Sequence, residues 1–254
     1  MNKLFVFVTS LMIAIPIGAG LMCRQSFTDI SQEDKPFDNF EIGLLSENTA
    51  LNIKEYAENS LENGSSYILK VTPTDKVKFS FLCYTEPVEI LEIYKGDDLQ
   101  IGDEIEILRD SSHIFWDLND TDCVNMGFVN LMNENEEYLV FLDKKIENEP
   151  VYKTYPFLMS AIFSYSNRDN AVLTDNKFRN TGNNEFFTSD ENALEILESV
   201  KSVLIEKYSW LEVNNYEIQP YYFEYKKAYK IKMILLHLAV LNIQLLKKEI
   251  MSVI

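Results

Sequence analysis

The chain has 254 residues, of which 46% are hydrophobic, and its formal net charge at pH 7 is −17. This length suits one domain with appendages, and this apolar fraction can fill a core, which excludes disorder throughout the chain. So negative a field repels phosphate backbones, and we therefore expect no nucleic-acid partner.

The first 22 residues have the layout of an export signal. Lys3 gives a positive start, residues 4–15 form an apolar run, and Pro16 is followed by the small residues 18–20. This order predicts a secretory signal that is cleaved near Ala19 or Gly20. We therefore expect an exported protein, located outside the cell or held on the outer face of its membrane.

Residues 1–23 are consistent with three fates of the export signal. Residues 4–22 are about long enough to span a bilayer, so an uncleaved anchor is an alternative to cleavage. Lipidation at Cys23 is a third reading, although Met22 stands where lipoprotein signals usually place a small residue. Residues 23–47 are polar and irregular, and we interpret them as a linker to the domain.

Cysteine usage gives little support for a specific site. The chain has only Cys23, Cys83 and Cys123, which is too few for a disulfide scaffold and lacks the paired spacing of a zinc site. Cys83 and Cys123 could pair outside the cell and join two β elements. Two buried thiols are the equally expected alternative.

The domain is predicted to begin with a short helix and to continue as β structure. The helix presents Ile53, Tyr56, Ala57 and Leu61 on one face, and the turn 63–64 ends it. A slip in the alternation at Ile90 and Leu91 predicts a β-bulge, which would bend its strand into a barrel. Strands are predicted at 67–71, 79–84, 88–94, 104–108 and 137–142, the last of them covered on both faces, with weaker candidates at 157–165 and 170–174.

The C-terminal part is predicted to be helical. Thr188 and Glu191 have the spacing of a capping box, and the apolar stripe that follows predicts a helix over 189–208 packed on the β core. Residues 225–254 contain six lysines against one glutamate, a net charge of +5, which leaves −22 on the rest of the chain. Within the aromatic and basic tail 211–254, the apolar segment 233–246 is expected to form a docking helix or an interfacial helix on anionic lipid.

Two strings of sequence resemble a known family. They are Glu-Pro-Val-Glu-Ile-Leu-Glu-Ile-Tyr-Lys-Gly at 86–96, with Ile-Gly-Asp-Glu-Ile at 101–105, and Glu-Glu-Tyr-Leu-Val-Phe-Leu at 136–142. In order and spacing they resemble bacterial exported domains of the netrin-module type, which are similar to the N-terminal domain of tissue inhibitors of metalloproteinases. The resemblance covers about 48–208. It implies a mainly β, α+β fold, an OB-like barrel of five to six strands with helices packed against it.

The inhibitory function of that family is not carried over. The inhibitors chelate the zinc of a protease through an N-terminal Cys-x-Cys pair, and Cys23-Arg24-Gln25 lacks the second cysteine. A domain spanning 48–210 is therefore expected on the resemblance, with its function left open.

The sequence contains no catalytic signature, and we expect no cofactor and no resident metal. His113 and His237 are far apart, and a Cys123–His113 pair would lack an orienting group. Asp117, Asp120 and Asp122 could hold calcium, but their spacing fails the EF-hand pattern, and a solvated acidic loop is the preferred interpretation.

The leading hypothesis is a non-enzymatic exported module that binds a protein or a cell-envelope partner. Its expected surface is the excursion 109–137, which is long and carries aromatic residues among acids. Membrane contact is expected only through 4–22 and 233–246. The alternatives are a carboxylate- or metal-dependent extracellular hydrolase and an accessory subunit of a membrane complex. The residues predicted to contact the partner are Phe115, Trp116, Asp117, Asp120 and Asp122.

Overall fold

The computed structural model describes residues 35–80, 82–116 and 122–215, together with Met12, residues 15–17, Ile30 and Glu33. Most of the predicted export signal, Cys23 and the predicted helix 233–246 lie outside the described residues. The chain divides into two compact units, Met1–Lys201 and Ser202–Ile254, and the described part of the second unit is helical.

The described residues form ten β-strands, all in the first unit. Most are short, and β4 and β8 are the longest. In chain order the strands are β1 (Glu41–Ile42), β2 (Tyr67–Pro73), β3 (Lys78–Ser80), β4 (Cys83–Lys95), β5 (Glu104–Leu108), β6 (His113–Phe115), β7 (Cys123–Asn125), β8 (Tyr138–Lys145), β9 (Val151–Thr154) and β10 (Ile162–Ser164).

Five of these strands close into a barrel. Strand β4 pairs with β2, β2 with β8, β8 with β9 and β9 with β5, and β5 returns to β4. The β5–β9 pair is parallel, and the other four pairs are antiparallel. This closed, mainly β architecture with a few helices is OB-like, so the predicted fold class is confirmed.

The bulge predicted in β4 is present. Lys70 of β2 pairs with Glu92 and Val71 pairs with Ile90, so Leu91 is the extra residue on the β4 side. A second shift in register lies between Ile68 and Leu69 of β2, which pair with Lys95 and Ile93 of β4. The extra residues increase the local twist and bend of β4 within the barrel, while the first residues of this 13-residue strand, 83–85, pair in a smaller sheet.

The first half of β8 lies between β2 and β9 in the wall of the barrel and is buried on both faces, as its sequence predicts. Each of its first five side chains is 2% exposed or less, which fits a strand covered on both faces. Burial of each such apolar side chain is worth about 1.5–3 kcal/mol. Of the two weaker strand predictions, 157–165 contains the short strand β10, whereas 170–174 forms no strand.

A second, smaller sheet, which we call the annex sheet, extends from the start of β4 in the order β1-β7-β6-β4, with β3 on the other side of β4. Its inner face packs on a hydrophobic cluster that includes Phe37, Phe40 and Ile42. The prediction of a linker over 23–47 is therefore wrong for residues 35–47. Phe37, Phe40 and Ile42, each 5% exposed or less, belong to this core, and Leu44 packs against it partly buried.

Helix α1 (Glu47–Tyr56) continues through a π-helical turn, Ala57–Leu61, into the short α2 (Glu62–Gly64). The predicted apolar face is confirmed, because Ile53 and Leu61 are fully buried and Tyr56 donates a hydrogen bond to the hydroxyl of Tyr155 at 2.8 Å. The helix ends at Gly64, as predicted. Among the described residues, no helix combines the length and apolar character that crossing a bilayer requires.

The last helix, α3 (Glu191–Asn215), extends beyond the predicted end at 208, and its cap differs from the prediction. Thr188 donates its hydroxyl hydrogen to the carbonyl of Leu45 at 2.7 Å. The cap is Asp190, whose Oδ1 accepts the N–H of Ala193 at 3.0 Å. The capping-box prediction is therefore wrong, because a tertiary partner takes the threonine and the next acidic residue replaces it.

Removal of this cap gives a first testable result. We expect Asp190→Ala to lower the free energy of unfolding by about 0.5–2 kcal/mol, because the start of α3 loses the side-chain acceptor of its free N–H groups. Ser46→Ala is the matched control, since Ser46 precedes α1 but makes no capping bond. Urea denaturation of both variants measures the difference, and equal losses would show that Asp190 does not act as a cap.

Candidate binding surface

The outer face of the annex sheet follows from strand alternation. Ile114 and Val124 point inward and are buried, so their neighbours His113 and Phe115 on β6 point outward. Cross-strand pairing places Cys83 and Asn125 on either side of His113, on the same face. This outer face therefore brings together residues from three segments that are distant in sequence.

Large apolar side chains are exposed on β6 and next to it. Phe115 is 55% exposed, Trp116 49% and Leu82 37%. Leu82 lies next to β6, because its carbonyl accepts the N–H of Ile114 at 2.8 Å. We call Leu82, His113, Phe115 and Trp116 the aromatic patch.

The aromatic patch is held by the core beneath it. The ring of Trp116 packs edge-on against the buried ring of Phe40, with 5.4 Å between centroids. The imidazole of His113 stacks on Phe115 at 6.1 Å. Because β6 is hydrogen-bonded on both sides, His113 and Phe115 stand on strand backbone, and Trp116 follows directly after the strand.

The predicted contact residues are only partly located. Phe115 and Trp116 lie on the surface. Asp122 directs its main-chain carbonyl to the N–H of Glu41 at 2.8 Å, which secures β1 to the sheet. Asp117 and Asp120 lie outside the described residues. The sequence did not single out Leu82 or link His113 to the patch, because only strand pairing brings them beside Phe115.

The two cysteines of the domain are separated by a strand. Cys83 lies on β4 and Cys123 on β7, and β6 runs between them. Two strand spacings amount to about 9–10 Å, whereas the Cα atoms of a disulfide are about 4.4–6.8 Å apart. The pairing of Cys83 with Cys123 is therefore not formed, and the strand order of the annex sheet prevents it.

Cys83 and His113 are cross-strand neighbours, an arrangement that sequence spacing did not predict. A catalytic thiol–imidazole pair also needs a group that orients the imidazole. Asn125, on the other side of His113, instead accepts the N–H of Gly127 through its Oδ1 at 3.0 Å. This bond stabilises the turn at Gly127, and it does not orient the imidazole of His113.

A buried ion pair secures the return of the excursion to the barrel. The Arg109 guanidinium is fully buried and donates from Nε to Glu86 at 2.6 Å. It also donates to the carbonyls of Met126, Val129 and Asn130. The other Glu86 oxygen accepts the N–H of Met132 at 2.8 Å, so one ion pair fixes the chain from 126 to 132.

Two other ion pairs engage the carboxylates of Glu136 and Glu185. Glu136 accepts from Arg168 at 2.9 Å, and hydrogen bonds from Asn133 and Arg168 hold its pKa below the ordinary value of glutamate. Glu185 pairs with Lys201, and burial raises the pKa of Glu185. Each carboxylate already has a cation, which is the arrangement of a structural ion pair.

Within the described ranges, no group of three or more histidine, cysteine, aspartate or glutamate side chains converges to hold a metal ion. Two of the three aspartates considered for calcium, Asp117 and Asp120, fall outside those ranges.

The closed barrel and the annex sheet define an OB-like β-barrel domain, and the aromatic patch is an exposed apolar surface on it. No protein-family model matches the chain, and no curated protein sequence is significantly similar to it. The aromatic patch is therefore the basis for a proposal of function.

Proposed function

We propose that this protein is an exported, non-enzymatic module that binds a protein partner through the aromatic patch. The observation that carries the proposal is that Phe115, the last residue of β6, and Trp116, which follows it, are large aromatic side chains that are each about half exposed. Aromatic side chains are enriched at the centres of protein interfaces, where they bury much area with little loss of side-chain entropy.

The surroundings of the patch support binding rather than catalysis. A binding anchor needs a rigid support, which the packing of Trp116 on Phe40 supplies. Catalysis needs converging groups whose hydrogen bonds are available to a substrate. The carboxylates of Glu86, Glu136 and Glu185 are instead held by arginine, lysine and main-chain groups.

The proposal also includes export of the protein and its relation to a known family of exported modules. The layout of residues 1–22 supports delivery across the membrane, as a secreted or membrane-anchored protein. The strings at 86–96 and 136–142 support a relation to bacterial exported modules of the netrin type. Loops at one end of OB-like barrels are a recurrent position for binding surfaces, and strands β6 and β7 of the annex sheet lie within such an excursion.

The test is capture from the envelope of the producing cells with the purified domain, followed by titration of the captured protein. We expect the double variant Phe115→Ser, Trp116→Ser to weaken binding about 30-fold or more, the effect of removing an interface hot spot worth about 2 kcal/mol.

Ile101→Ser is the matched control. Ile101 is 69% exposed in the turn between β4 and β5, so the substitution removes a comparable apolar surface elsewhere on the barrel. Binding by this variant should equal that of the wild type. If the patch variant, shown to be folded by circular dichroism, binds as tightly as the wild type, the proposed surface is wrong.

A further inference from the structure

A separate cleft of about 230 Å³ lies on the β3 side of β4, whereas the aromatic patch lies on the β6 side. Its walls come from the turn between β2 and β3, from residues 131–134 and from the segment before β1. The lining residues are Glu33, Pro36, Pro73, Asp75, Lys76, Val77, Phe79, Glu86, Pro87, Leu131, Met132 and Glu134.

The interior of the cleft is apolar and firmly supported. Phe79 packs against the fully buried ring of Phe37, with 5.5 Å between centroids. Glu86 contributes no available charge, because Arg109 and the N–H of Met132 occupy its two oxygens at 2.6 and 2.8 Å. An occupant therefore meets proline, valine, leucine, methionine and phenylalanine surface inside the cleft.

The rim of the cleft is acidic. Glu33, Asp75 and Glu134 are exposed carboxylates, and Lys76 is the single basic side chain among the lining residues. The loop that carries Asp75 is locally ordered, because its Oδ1 accepts the main-chain N–H of Lys76 at 2.7 Å. An apolar interior below a rim with an excess of carboxylates complements a long side chain that ends in a cation.

We infer that this cleft binds an arginine side chain presented by a partner protein. The arginine stem would lie along the apolar walls, and the guanidinium would reach the rim carboxylates, the mode in which long basic side chains bury their methylene groups. A guanidinium is also more weakly hydrated than an ammonium and packs well on aromatic and planar surfaces such as Phe79.

The size of the cleft favours a single side chain over a free metabolite. Pockets for drug-sized ligands are about 300–1,000 Å³, and this cleft is smaller. The net charge of −17 attracts a basic partner over long range and raises its rate of encounter. The inference does not depend on the aromatic patch, because its lining residues and its test are separate.

The test is a titration of the full chain with Nα-acetyl-arginine amide, followed by NMR of methyl groups. The signals of Val77, Leu131 and Met132 should shift and saturate. The neutral isostere Nα-acetyl-citrulline amide should bind at least about threefold more weakly, since it keeps a similar shape but lacks the charge. Equal binding of the two probes, or shifts away from these methyl groups, would overturn the inference.

Two double variants that remove the same charge distinguish arginine binding by the rim carboxylates from attraction by the net negative charge of the protein. The double variant Asp75→Asn, Glu134→Gln should weaken arginine binding about five- to tenfold, and the amide oxygen of the introduced asparagine can still accept the N–H of Lys76. The double variant Glu147→Gln, Glu149→Gln removes the same charge from the turn between β8 and β9, and its affinity should stay within about twofold of the wild type. Equal losses in the two variants would mean that only the overall charge attracts arginine.

Discussion

Replacement of Arg109 by methionine should lower the free energy of unfolding by about 3–5 kcal/mol, the cost of removing one partner of a buried ion pair. Methionine fills much of the same volume, so the loss is electrostatic rather than a cavity effect. The carboxylate of Glu86, which is 5% exposed, would remain buried with no cation beside it. The main-chain carbonyls of Met126, Val129 and Asn130 would also lose their hydrogen bonds from the guanidinium.

Lys153→Met is the control, because Lys153 forms an ion pair with Asp110 in which the side chains are 33% and 46% exposed. Such exposed pairs contribute about 0–1 kcal/mol. The double variant Arg109→Met, Glu86→Leu should recover only part of the loss, since the carbonyls of Val129 and Asn130 lose the guanidinium as donor, whereas the carbonyl of Met126 keeps the hydroxyl of Ser160. A similar cost for the Arg109 and Lys153 variants in urea denaturation would show that the buried network does not stabilise the fold.

Replacement of Lys201 by methionine should have an effect that depends on pH. The Nζ atom of Lys201 donates to Glu185 and to the carbonyl of Ser166, the latter at 2.8 Å. Glu185 is 2% exposed, and its other carboxylate oxygen accepts the N–H of Ser164 at 2.7 Å. Burial already raises the pKa of Glu185, and loss of the lysine charge would raise that pKa further.

The direction of the pH effect follows from this raised pKa. In the unfolded chain Glu185 ionises near the ordinary value of glutamate, whereas in the folded variant it stays protonated to higher pH. The variant therefore loses stability relative to the wild type as the pH rises from the unfolded-state pKa towards the folded-state pKa. We expect a loss of about 3–5 kcal/mol near pH 7.5, with a smaller loss near pH 5.

The double variant Lys201→Met, Glu185→Gln tests the cause, because glutamine cannot ionise. Its stability relative to the wild type should vary much less between pH 5 and pH 7.5 than that of the single variant. Urea denaturation at both pH values provides the measurement. If the single variant loses the same free energy at pH 5 as at pH 7.5, ionisation of Glu185 is not the source of the loss.

These ion pairs also bear on the proposed binding surface. The Arg109 network fixes the chain just after β7, the strand that supports β6 and the aromatic patch. A partly destabilised Arg109 variant should therefore bind a partner less well even though it leaves Phe115 and Trp116 intact. Comparison of the Arg109 variant with the variant of Phe115 and Trp116 separates the two effects. The first weakens the scaffold below the aromatic patch, and the second changes the exposed side chains of the patch itself.

The sequence alone determined the features that depend on local pattern. The continuous apolar run at 138–142 predicted a strand covered on both faces, and the slip at Ile90 and Leu91 predicted the bulge that bends β4. The apolar stripes that begin at Ile53 and at Ala193 predicted the helices. Side-chain periodicity carries this information because each element exposes one face to a core, whatever surrounds it.

Only the tertiary structure decided how the barrel closes and where the surface forms. The four residues of β9 carry too short a pattern to predict a strand, and they become one by pairing with β5 and β8. The segment 35–47 resembles a linker until its aromatic side chains meet those of β3 and β4. Arg109, Cys83 and His113 acquire their roles in the same way, because burial and strand pairing depend on contacts between segments distant along the chain, which local sequence pattern does not encode.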